Sequence, residues 1–255
     1  MRKTVSKFAL VAGVALALAF TTLTSCVSSP PAKTAAAPTL SQDSQSSLDT
    51  ALKTATTLFF TDSRDGKNYK TVQIGEQVWM AENLNYDASG SNCYDNDPAN
   101  CAKYGRLYDW STAMGFSPIC NITVCSSQIQ SKHKGICPSG WHIPSQSEWD
   151  LMTVYIGGTN TEGRKLKATN GWSNCGPSDS GKEFLCEGTY GFLALPGGYR
   201  DSDGSFGNVG YFGYWWSTTE FIALLAYNRI MSYNGDGAYW SQGKSNMFSM
   251  RCIQD

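Results

Sequence analysis

Nine cysteines give this chain most of its capacity for covalent chemistry. One of them, Cys26, belongs to an N-terminal motif treated below, and the other eight are Cys93, Cys101, Cys120, Cys125, Cys137, Cys175, Cys186 and Cys252. An even number in an exported chain favours disulfide bonds. Closeness in sequence predicts the local pairs Cys93–Cys101, Cys120–Cys125 and Cys175–Cys186. Cys137 and Cys252 would then close a long loop, which the chain-entropy model values at about 4–5 kcal/mol.

A zinc site is the alternative use for part of this set. Cys120, Cys125, His133 and Cys137 together offer the sulfur and nitrogen ligands that zinc prefers. Their spacing is irregular for such a site, and an oxidising compartment favours disulfides, so we expect no metal and no cofactor. His133 lies in a polar loop and is expected to be solvated. His142 lies between apolar residues and is expected to be packed and hydrogen-bonded rather than a general base.

The N-terminus has the three parts of a secretory signal. Three basic residues within the first seven positions precede an uncharged apolar run, Phe8–Phe20. That run is too short to span a bilayer, which needs about 20 residues. Leu23–Cys26 then matches a lipobox, so we expect residues 1–25 to be removed and the thiol of Cys26 to carry a lipid anchor; an ordinary cleaved signal is the alternative. Valine and serine follow Cys26, not the aspartate that retains lipoproteins at the inner membrane, which favours the outer membrane or cell surface.

Composition separates a tether from a globular domain. Residues 26–57 are rich in Ser, Thr, Ala and Pro and hold no aromatic residue, which predicts a flexible tether. Residues 58–255 hold all eight tryptophans and all thirteen tyrosines, enough to form the core of a single domain. The formal charge of −1 and the lack of a basic stripe exclude a nucleic-acid partner.

The sequence predicts both helices and strands to position the cysteines and aromatic residues, and strands are the more numerous. Alternating hydrophobicity predicts strands over Tyr69–Ile74, Gln77–Ala81, Phe192–Arg200, Tyr214–Thr219, Tyr227–Tyr233, Ala238–Trp240 and Asn246–Ile253. The first two flank Gly75-Glu76 and predict a hairpin. Asp203-Gly204 and Asn234-Gly235 predict turns.

Three short helices are predicted between these strands. Leu107–Met114 would end at Gly115. The clearest helix begins at Ser145, because Ser145 and Glu148 form a capping box, and it would bury Trp149, Met152 and Ile156 before Gly157-Gly158 ends it. A further helix is predicted over Thr161–Thr169.

Two clusters combine aromatic rings with hydrogen-bonding side chains, a combination typical of sugar sites. Rings stack on the apolar face of a pyranose, while amides and carboxylates bond its hydroxyl groups. The candidate ligand-binding residues are Tyr214, Trp215, Asn234, Asp236, Tyr239 and Trp240, and Gln242 is a further polar residue of the second cluster. For each ring the alternative is a place in the core, which we expect for Trp216. The calcium-binding tripeptides of lectins are absent, and Asp201–Gly204 is expected to form a turn rather than a calcium loop.

Several motifs resemble a known family. They are Val72–Gly75, Trp79–Leu84, Cys137–Pro144, Glu148-Trp149, Leu195–Arg200, Trp215–Glu220 and Met250–Cys252. Together they resemble the Fibrobacter succinogenes major paralogous domain, over nearly all of residues 60–255. That family is often found in lipoproteins and has no established activity, so the resemblance implies a fold rather than a reaction.

A more distant similarity concerns the helix start at Ile143–Trp149, which resembles that of formylglycine-generating-type enzymes. It implies a C-type-lectin-like α+β fold with twisted antiparallel sheets and two or three short helices, in which Cys137–Cys252 would join the helix region to the last strand. Those enzymes need a reactive cysteine pair near the C-terminus, whereas only Cys252 lies there.

The sequence therefore predicts a lipid-anchored binding or adhesion module that recognises a glycan or a surface protein without catalysis. The second interpretation is a structural scaffold of the cell envelope. A diverged enzyme is the third interpretation. It stays open because two catalytic carboxylates can lie close together in the fold without being close in the sequence.

Overall fold

The computed structural model describes residues 58–158, 162–173, 175, 186–235 and 238–255. This part of the chain contains two five-stranded sheets, four short α-helices and three 3₁₀ helices, at Tyr94–Asn96, Pro118–Asn121 and Ser126–Gln128. The strands are β1 (Leu58–Thr61), β2 (Asn68–Ile74), β3 (Gln77–Met80), β4 (Trp141–His142), β5 (Gly197–Arg200), β6 (Phe206–Val209), β7 (Phe212–Ile222), β8 (Leu225–Ser232), β9 (Ala238–Gly243) and β10 (Ile253–Gln254). The helices are α1 (Pro98–Tyr104), α2 (Trp110–Met114), α3 (Gln146–Tyr155) and α4 (Glu162–Leu166). The predicted signal, Cys26 and the tether lie outside the described residues.

The first sheet brings together the two ends of the described chain. Its order is β1-β2-β3-β10-β4, and all of its strand pairs are antiparallel. The predicted hairpin is confirmed as β2 and β3. Ile253 of β10 pairs with both Trp79 and His142, so the last strand closes the sheet between an early and a central strand.

The second sheet has the order β6-β5-β7-β8-β9. Its centre is the long β7–β8 hairpin, which is antiparallel and irregular between Trp216 and Ile222. The pairing of β5 with β7 is parallel, at Gly198 and Gly213. At Gly213 the backbone lies so close to the Trp215 ring that an added Cβ would stand 2.3 Å from it.

The helix predictions agree with the structure where the sequence contains a capping residue. The capping box of α3 is formed by Ser145 and Glu148 as predicted. Helix α2 begins later than predicted because Asp109 caps it, accepting a hydrogen bond from the amide of Thr112, and it ends at Gly115 as predicted. Helix α4 is shorter than predicted, since Lys167 leaves the helix to form a bridge with Ala194.

Two predicted strands are mostly irregular. Within Phe192–Arg200 only β5 is regular, because Leu193 has a positive φ of 54° and Pro196 has no amide proton. Within Asn246–Ile253, regular pairing is confined to β10, and the residues before it form isolated bridges. The segment nonetheless pairs with the second sheet, as Met247 forms a bridge with Arg200 and Ser249 with Trp215.

Aromatic residues fill the core on both faces of β7. One cluster contains Tyr214, Trp216 and Phe248, and the other contains Trp215 with Trp79, which lies 4.7 Å from the Trp149 ring. Trp216 is completely buried, as predicted. The large apolar rings therefore serve mainly to stabilise the fold, through burial and ring contacts.

Four disulfide bonds join the eight cysteines in the predicted pairs: Cys93–Cys101, Cys120–Cys125, Cys137–Cys252 and Cys175–Cys186. The zinc alternative is wrong, because three of its four ligands are half-cystines. The bond between Cys137 and Cys252 spans 115 residues and joins the segment before β4 to the segment before β10. The chain is thus an α+β protein with two sheets, few helices and four disulfides. None of the helices in the described ranges is both long and apolar enough to cross a membrane.

Candidate functional site

A cleft of about 170 Å³ opens beside the second sheet. Its lining combines three aromatic rings with amide and carboxylate side chains. The residues are Tyr199, Asp201, Asn208, Tyr214, Gln242, Asn246 and Phe248. We call this site the aromatic-amide cleft.

The three rings of the cleft form a fixed corner. Tyr214 and Phe248 are stacked, with centroids 5.0 Å apart and an interplanar angle of 15°. Tyr199 stands almost perpendicular to Tyr214, at 5.5 Å and 70°. Tyr214 and Phe248 are buried, whereas Tyr199 is half-buried and is the more accessible residue.

A glycine on the neighbouring strand fixes the orientation of Tyr199. Gly207 of β6 pairs with Tyr199 of β5. A Cβ added to Gly207 would lie 3.0 Å from a carbon of the tyrosine ring, so the ring lies directly across the glycine backbone. A side chain at position 207 would force the ring to move.

The polar groups of the cleft differ in whether they already form hydrogen bonds within the protein. Asn208 donates from Nδ2 to the Tyr214 hydroxyl oxygen at 2.9 Å. Oδ1 of Asp201 accepts from the amide of Ser202 at 2.7 Å. The side-chain amides of Gln242 and Asn246 form no hydrogen bond with any described residue. Two amides are therefore free to bond a ligand, with four donor hydrogens between them.

The hydroxyl of Tyr214 is a donor at neutral pH. Burial raises the pKa of Tyr214, and the bond from Asn208 offsets only part of that rise. Since Asn208 already supplies a proton to the oxygen, the tyrosine O–H remains available to an acceptor. The cleft thus presents donors from Tyr214, Gln242 and Asn246, with a carboxylate acceptor at Asp201.

The prediction that Trp215 contacts a ligand is wrong. Its relative exposure is 0%, and its Nε1 donates to Oδ1 of Asn83 at 2.8 Å in the core. The alternation along β7 suggested that one face would be exposed, but core clusters cover both faces of this strand. Tyr214 is also a core residue, with 7% exposure, and only the part that lines the cleft is accessible.

The second predicted cluster is described only in part. Asn234 is exposed at the end of the β8 hairpin arm, and its Oδ1 accepts from Ser232 at 3.2 Å. Asp236 lies outside the described residues, as do the side chains of Tyr239 and Trp240. The backbone register pairs Trp240 with Asn228 and places Gln242, two residues further on, opposite Ala226.

The two histidines occupy different structural settings. His142 is buried between two carboxylates, with Nδ1 2.7 Å from Asp255 and Nε2 2.8 Å from Glu148. Burial alone would lower the pKa of His142, but these two bonds outweigh burial and raise it. The expectation that His133 is merely solvated is wrong, because its Nε2 lies 2.8 Å from the carbonyl oxygen of Met114.

One buried ion pair organises the loops at the end of the second sheet. Lys244 is completely buried and pairs with Glu220. Its Nζ also donates to the carbonyl oxygens of Cys120, Thr123 and Ala223. Because all of its donors have partners, we assign Lys244 to structure rather than to chemistry.

Sequence reasoning found Tyr214 but missed most of the other residues of the cleft. Tyr199 lay in a predicted strand and Asp201 in a predicted turn, while Gln242 belonged to the second predicted cluster without being chosen as a ligand-binding candidate. Asn246 and Phe248 lay in the predicted strand Asn246–Ile253, and Asn208 gave no local signal. The left-handed φ of 65° at Asn208 is the feature that turns its side chain toward Tyr214, and asparagine is one of the few residues that tolerates it.

Comparison with known proteins identifies a family but no relative of known function. No curated protein and no solved structure matches the chain. The family model for the Fibrobacter succinogenes major domain matches residues 72–254. This range includes all lining residues of the cleft and both sheets, apart from β1 and the first four residues of β2. The chain therefore belongs to the Fibrobacter succinogenes major domain family.

Proposed function

We propose that this protein is a non-catalytic binding module that recognises a neutral sugar residue in the aromatic-amide cleft. The observation that carries the proposal is the pairing of a half-exposed tyrosine ring, Tyr199, with the unused amides of Gln242 and Asn246. A ring provides a stacking face for the apolar side of a pyranose, and amides bond its hydroxyl groups in either direction.

The size of the cleft sets the size of the ligand. Sites for drug-sized ligands occupy roughly 300–1,000 Å³, whereas the cleft measures about 170 Å³. It therefore suits one terminal sugar residue rather than a long chain. Binding to a single residue is weak, which fits a surface module that acts in many copies.

The composition of the cleft supports binding rather than hydrolysis. Glycosidases use two carboxyl groups that flank the scissile bond. Among the residues that line the cleft, Asp201 supplies the single carboxylate and there is no histidine. The cysteine that the formylglycine-generating resemblance offered, Cys252, is buried in a disulfide with Cys137.

Location and fold complete the proposal. The lipobox at Leu23–Cys26 supports a lipid anchor at the outer membrane or cell surface, and four disulfides suit an oxidising compartment. A C-type-lectin-like fold is supported by the closure of the first sheet by β10, which brings the ends of the domain together.

A glycan array tests the proposal directly. The full chain, purified in detergent, is screened against neutral and charged glycans with and without calcium. We expect binding to a subset of neutral glycans that calcium does not alter. Gln242→Ala should weaken binding to that subset about tenfold, the loss expected when about 1.4 kcal/mol of hydrogen bonding is removed.

The matched control is Gln73→Ala, which removes an exposed amide from β2 in the first sheet. It should bind as the wild type does. Failure of the wild-type chain to bind any glycan, or equal losses in Gln242→Ala and Gln73→Ala, would refute the proposal.

A structural scaffold of the cell envelope is the second candidate, and exposed apolar loops favour it. Six large apolar side chains are about half exposed or more: Ile119, Ile122 and Val124 on one loop, Phe221 and Ile222 at the end of β7, and Leu224 on the loop between β7 and β8. Lys244 joins these loops by donating to a carbonyl oxygen in each. Exposed apolar patches of this kind typically contact other proteins.

Purification of the chain from detergent extracts separates the two candidates. A scaffold should retain one partner in a fixed ratio, and Ile122→Ser with Leu224→Ser should release that partner. Leu151→Ser, which alters an exposed leucine on α3, is the control and should retain it. Absence of any partner in a fixed ratio would leave the glycan proposal as the better account.

A further inference from the structure

A second and larger cavity lies at the edge of the first sheet. It measures about 450 Å³, within the range of small-molecule sites. Its walls come from β2, the segment after β3, helix α1 and two segments around residues 168–170 and 193–195. Three lysines lie around it: Lys67, Lys70 and Lys103. We call this site the lysine cavity. It shares no lining residue with the aromatic-amide cleft.

The three lysines differ in how far carboxylates neutralise them. Lys67 is paired, with Nζ 2.9 Å from Asp65. Lys70 is only loosely paired, at 3.9 Å from Glu82, and both side chains are more than two-fifths exposed. Lys103 lies over the Tyr104 ring at 4.7 Å and forms no ion pair with a carboxylate in the described part of the chain. Glu82 is the one carboxylate among the lining residues, against three lysines, so the cavity carries a net positive charge, centred on Lys70 and Lys103.

A buried arginine adds to this charge from behind the cavity wall. Arg251 is 1% exposed, and it donates to Oδ1 of Asn83 and to the carbonyl oxygens of Phe192 and Leu193. Burial lowers the pKa of Arg251 to about 9, so the guanidinium stays charged at neutral pH. No carboxylate among the described residues bonds to it. Glu82 attracts this charge without bonding to it, and a charge in a low-dielectric wall acts on a neighbouring ligand more strongly than a solvated one.

The same arginine holds the cavity wall in an unusual shape. Leu193 lines the cavity with a φ of 54°, which is rare for a residue with a branched side chain. Its carbonyl oxygen is held by Nη2 of Arg251 at 2.9 Å. On the other side, Asn83 donates to the carbonyl oxygen of Tyr104 at 2.7 Å. Backbone strain of this kind persists only where the surroundings enforce it, and it is concentrated at ligand sites.

The remaining lining residues define the rest of the ligand. Asn85, Thr169 and Asn170 offer neutral polar groups at the rim, and the half-buried side chains of Leu193 and Leu195 form an apolar floor. A ligand that fits must therefore have an anionic group for the lysines and a body with both hydroxyl groups and an apolar face. A sugar that carries an acidic group meets these requirements.

We propose that the lysine cavity is a second binding site, specific for acidic sugars that carry a carboxylate or a phosphate group. Lys103 and Lys70 bind the anionic group, and the leucine floor contacts the ring. The volume of the cavity allows one or two sugar residues. The site is independent of the neutral-sugar site proposed above, because the two sites have different lining residues.

Titration calorimetry of the full chain tests this proposal with three probes of similar size: glucuronate, glucose 6-phosphate and glucose. We expect at least one of the two anions to bind, glucose to bind at least tenfold more weakly, and binding of the anion to weaken when salt is raised to about 0.5 M. The choice between glucuronate and glucose 6-phosphate identifies the anionic group.

Two variants and a control locate the binding. Lys103→Gln should weaken anion binding at least tenfold without changing the melting temperature, because this side chain is exposed. Lys132→Gln changes an exposed lysine that does not line the cavity and should bind as the wild type does. Gln242→Ala should retain anion binding even if it loses neutral-glycan binding, which separates this proposal from the first. Equal binding of glucose and the anions, no binding of either anion, or full anion binding by Lys103→Gln would overturn the proposal.

Discussion

The motifs that mark the family and the cleft that is proposed to bind sugar occupy different parts of the structure. The family motifs supply buried residues that bond to one another, such as Arg251 and Trp215, which both donate to Oδ1 of Asn83. The aromatic-amide cleft takes Tyr199 from these motifs, but its other lining residues lie outside them. The framework thus identifies the family, whereas the cleft would determine the ligand. Framework variants should change stability, and cleft variants should change binding.

The long disulfide gives the largest expected effect on the framework side of this comparison. Replacing both Cys137 and Cys252 with alanine should lower the free energy of unfolding by about 5 kcal/mol, because the bond closes a loop of 115 residues. Replacing Cys93 and Cys101 together should cost about 2–3 kcal/mol, since their separation is 8 residues. Urea denaturation measures both. A larger loss in the Cys93 and Cys101 variant would contradict the framework account.

The buried ion pair between Lys244 and Glu220 has the second largest expected effect on the framework. Lys244→Met leaves the carboxylate of Glu220 buried without its partner and should cost about 3–5 kcal/mol. The double variant Glu220→Gln with Lys244→Met should recover part of that loss, because no charge is left unpaired. Denaturation of the wild type, both single variants and the double variant gives the coupling energy. If the stability loss of the double variant equals the sum of the two single losses, the two side chains do not stabilise each other.

Substitutions in the aromatic-amide cleft should change affinity and leave stability almost unchanged. Asn246→Ala removes an amide that bonds no described residue, so the free energy of unfolding should change by less than about 0.5 kcal/mol. Affinity for the glycan found on the array should fall about tenfold, or about 1.4 kcal/mol. Calorimetry and denaturation of the same sample test both statements. A stability loss without a change in affinity would place Asn246 in the framework instead.

The smallest expected effect is a pH dependence of the framework. The pKa of His142 is raised by its bonds to Glu148 and Asp255 despite burial. The stabilisation it gives is therefore complete below its ordinary pKa of 6.5 and is lost as pH rises through the raised value. The pKa of Glu148 is lowered, so its contribution is lost instead as pH falls from 4.5 through the folded value.

Urea denaturation at a series of pH values checks this dependence. The free energy of unfolding should fall as pH rises above 6.5, the ordinary pKa of His142. His142→Gln should flatten that part of the curve. A wild-type curve with no such fall would show that folding does not raise the pKa of His142.

The sequence predicts local features better than it predicts the site. The capping box at Ser145, the β2–β3 hairpin and all four disulfide pairs could be predicted because each is set by nearby residues or by elimination. The burial of Trp215 could not, because it depends on a second core cluster on the opposite face of β7. A strand pattern alone does not show whether both faces of a sheet are covered.

The residues of the cleft come together only in the folded chain. Tyr199 and Gln242 are far apart in sequence, and the order β5-β7-β8-β9 brings their strands into one sheet. Asn246 and Phe248 lie in an irregular segment whose path is set by bridges to other parts of the chain. These contacts are long-range, so no window of the sequence contains the information that defines the cleft.

The most direct test of the central claim is an NMR titration of the full chain with the glycan that the array identifies. Side-chain amide signals of asparagine and glutamine report contact at each residue. The account predicts that the signals of Asn208, Gln242 and Asn246 shift together with increasing glycan, while that of Gln73 stays fixed. Shifts confined to residues outside the cleft, with these three signals unchanged, would contradict it.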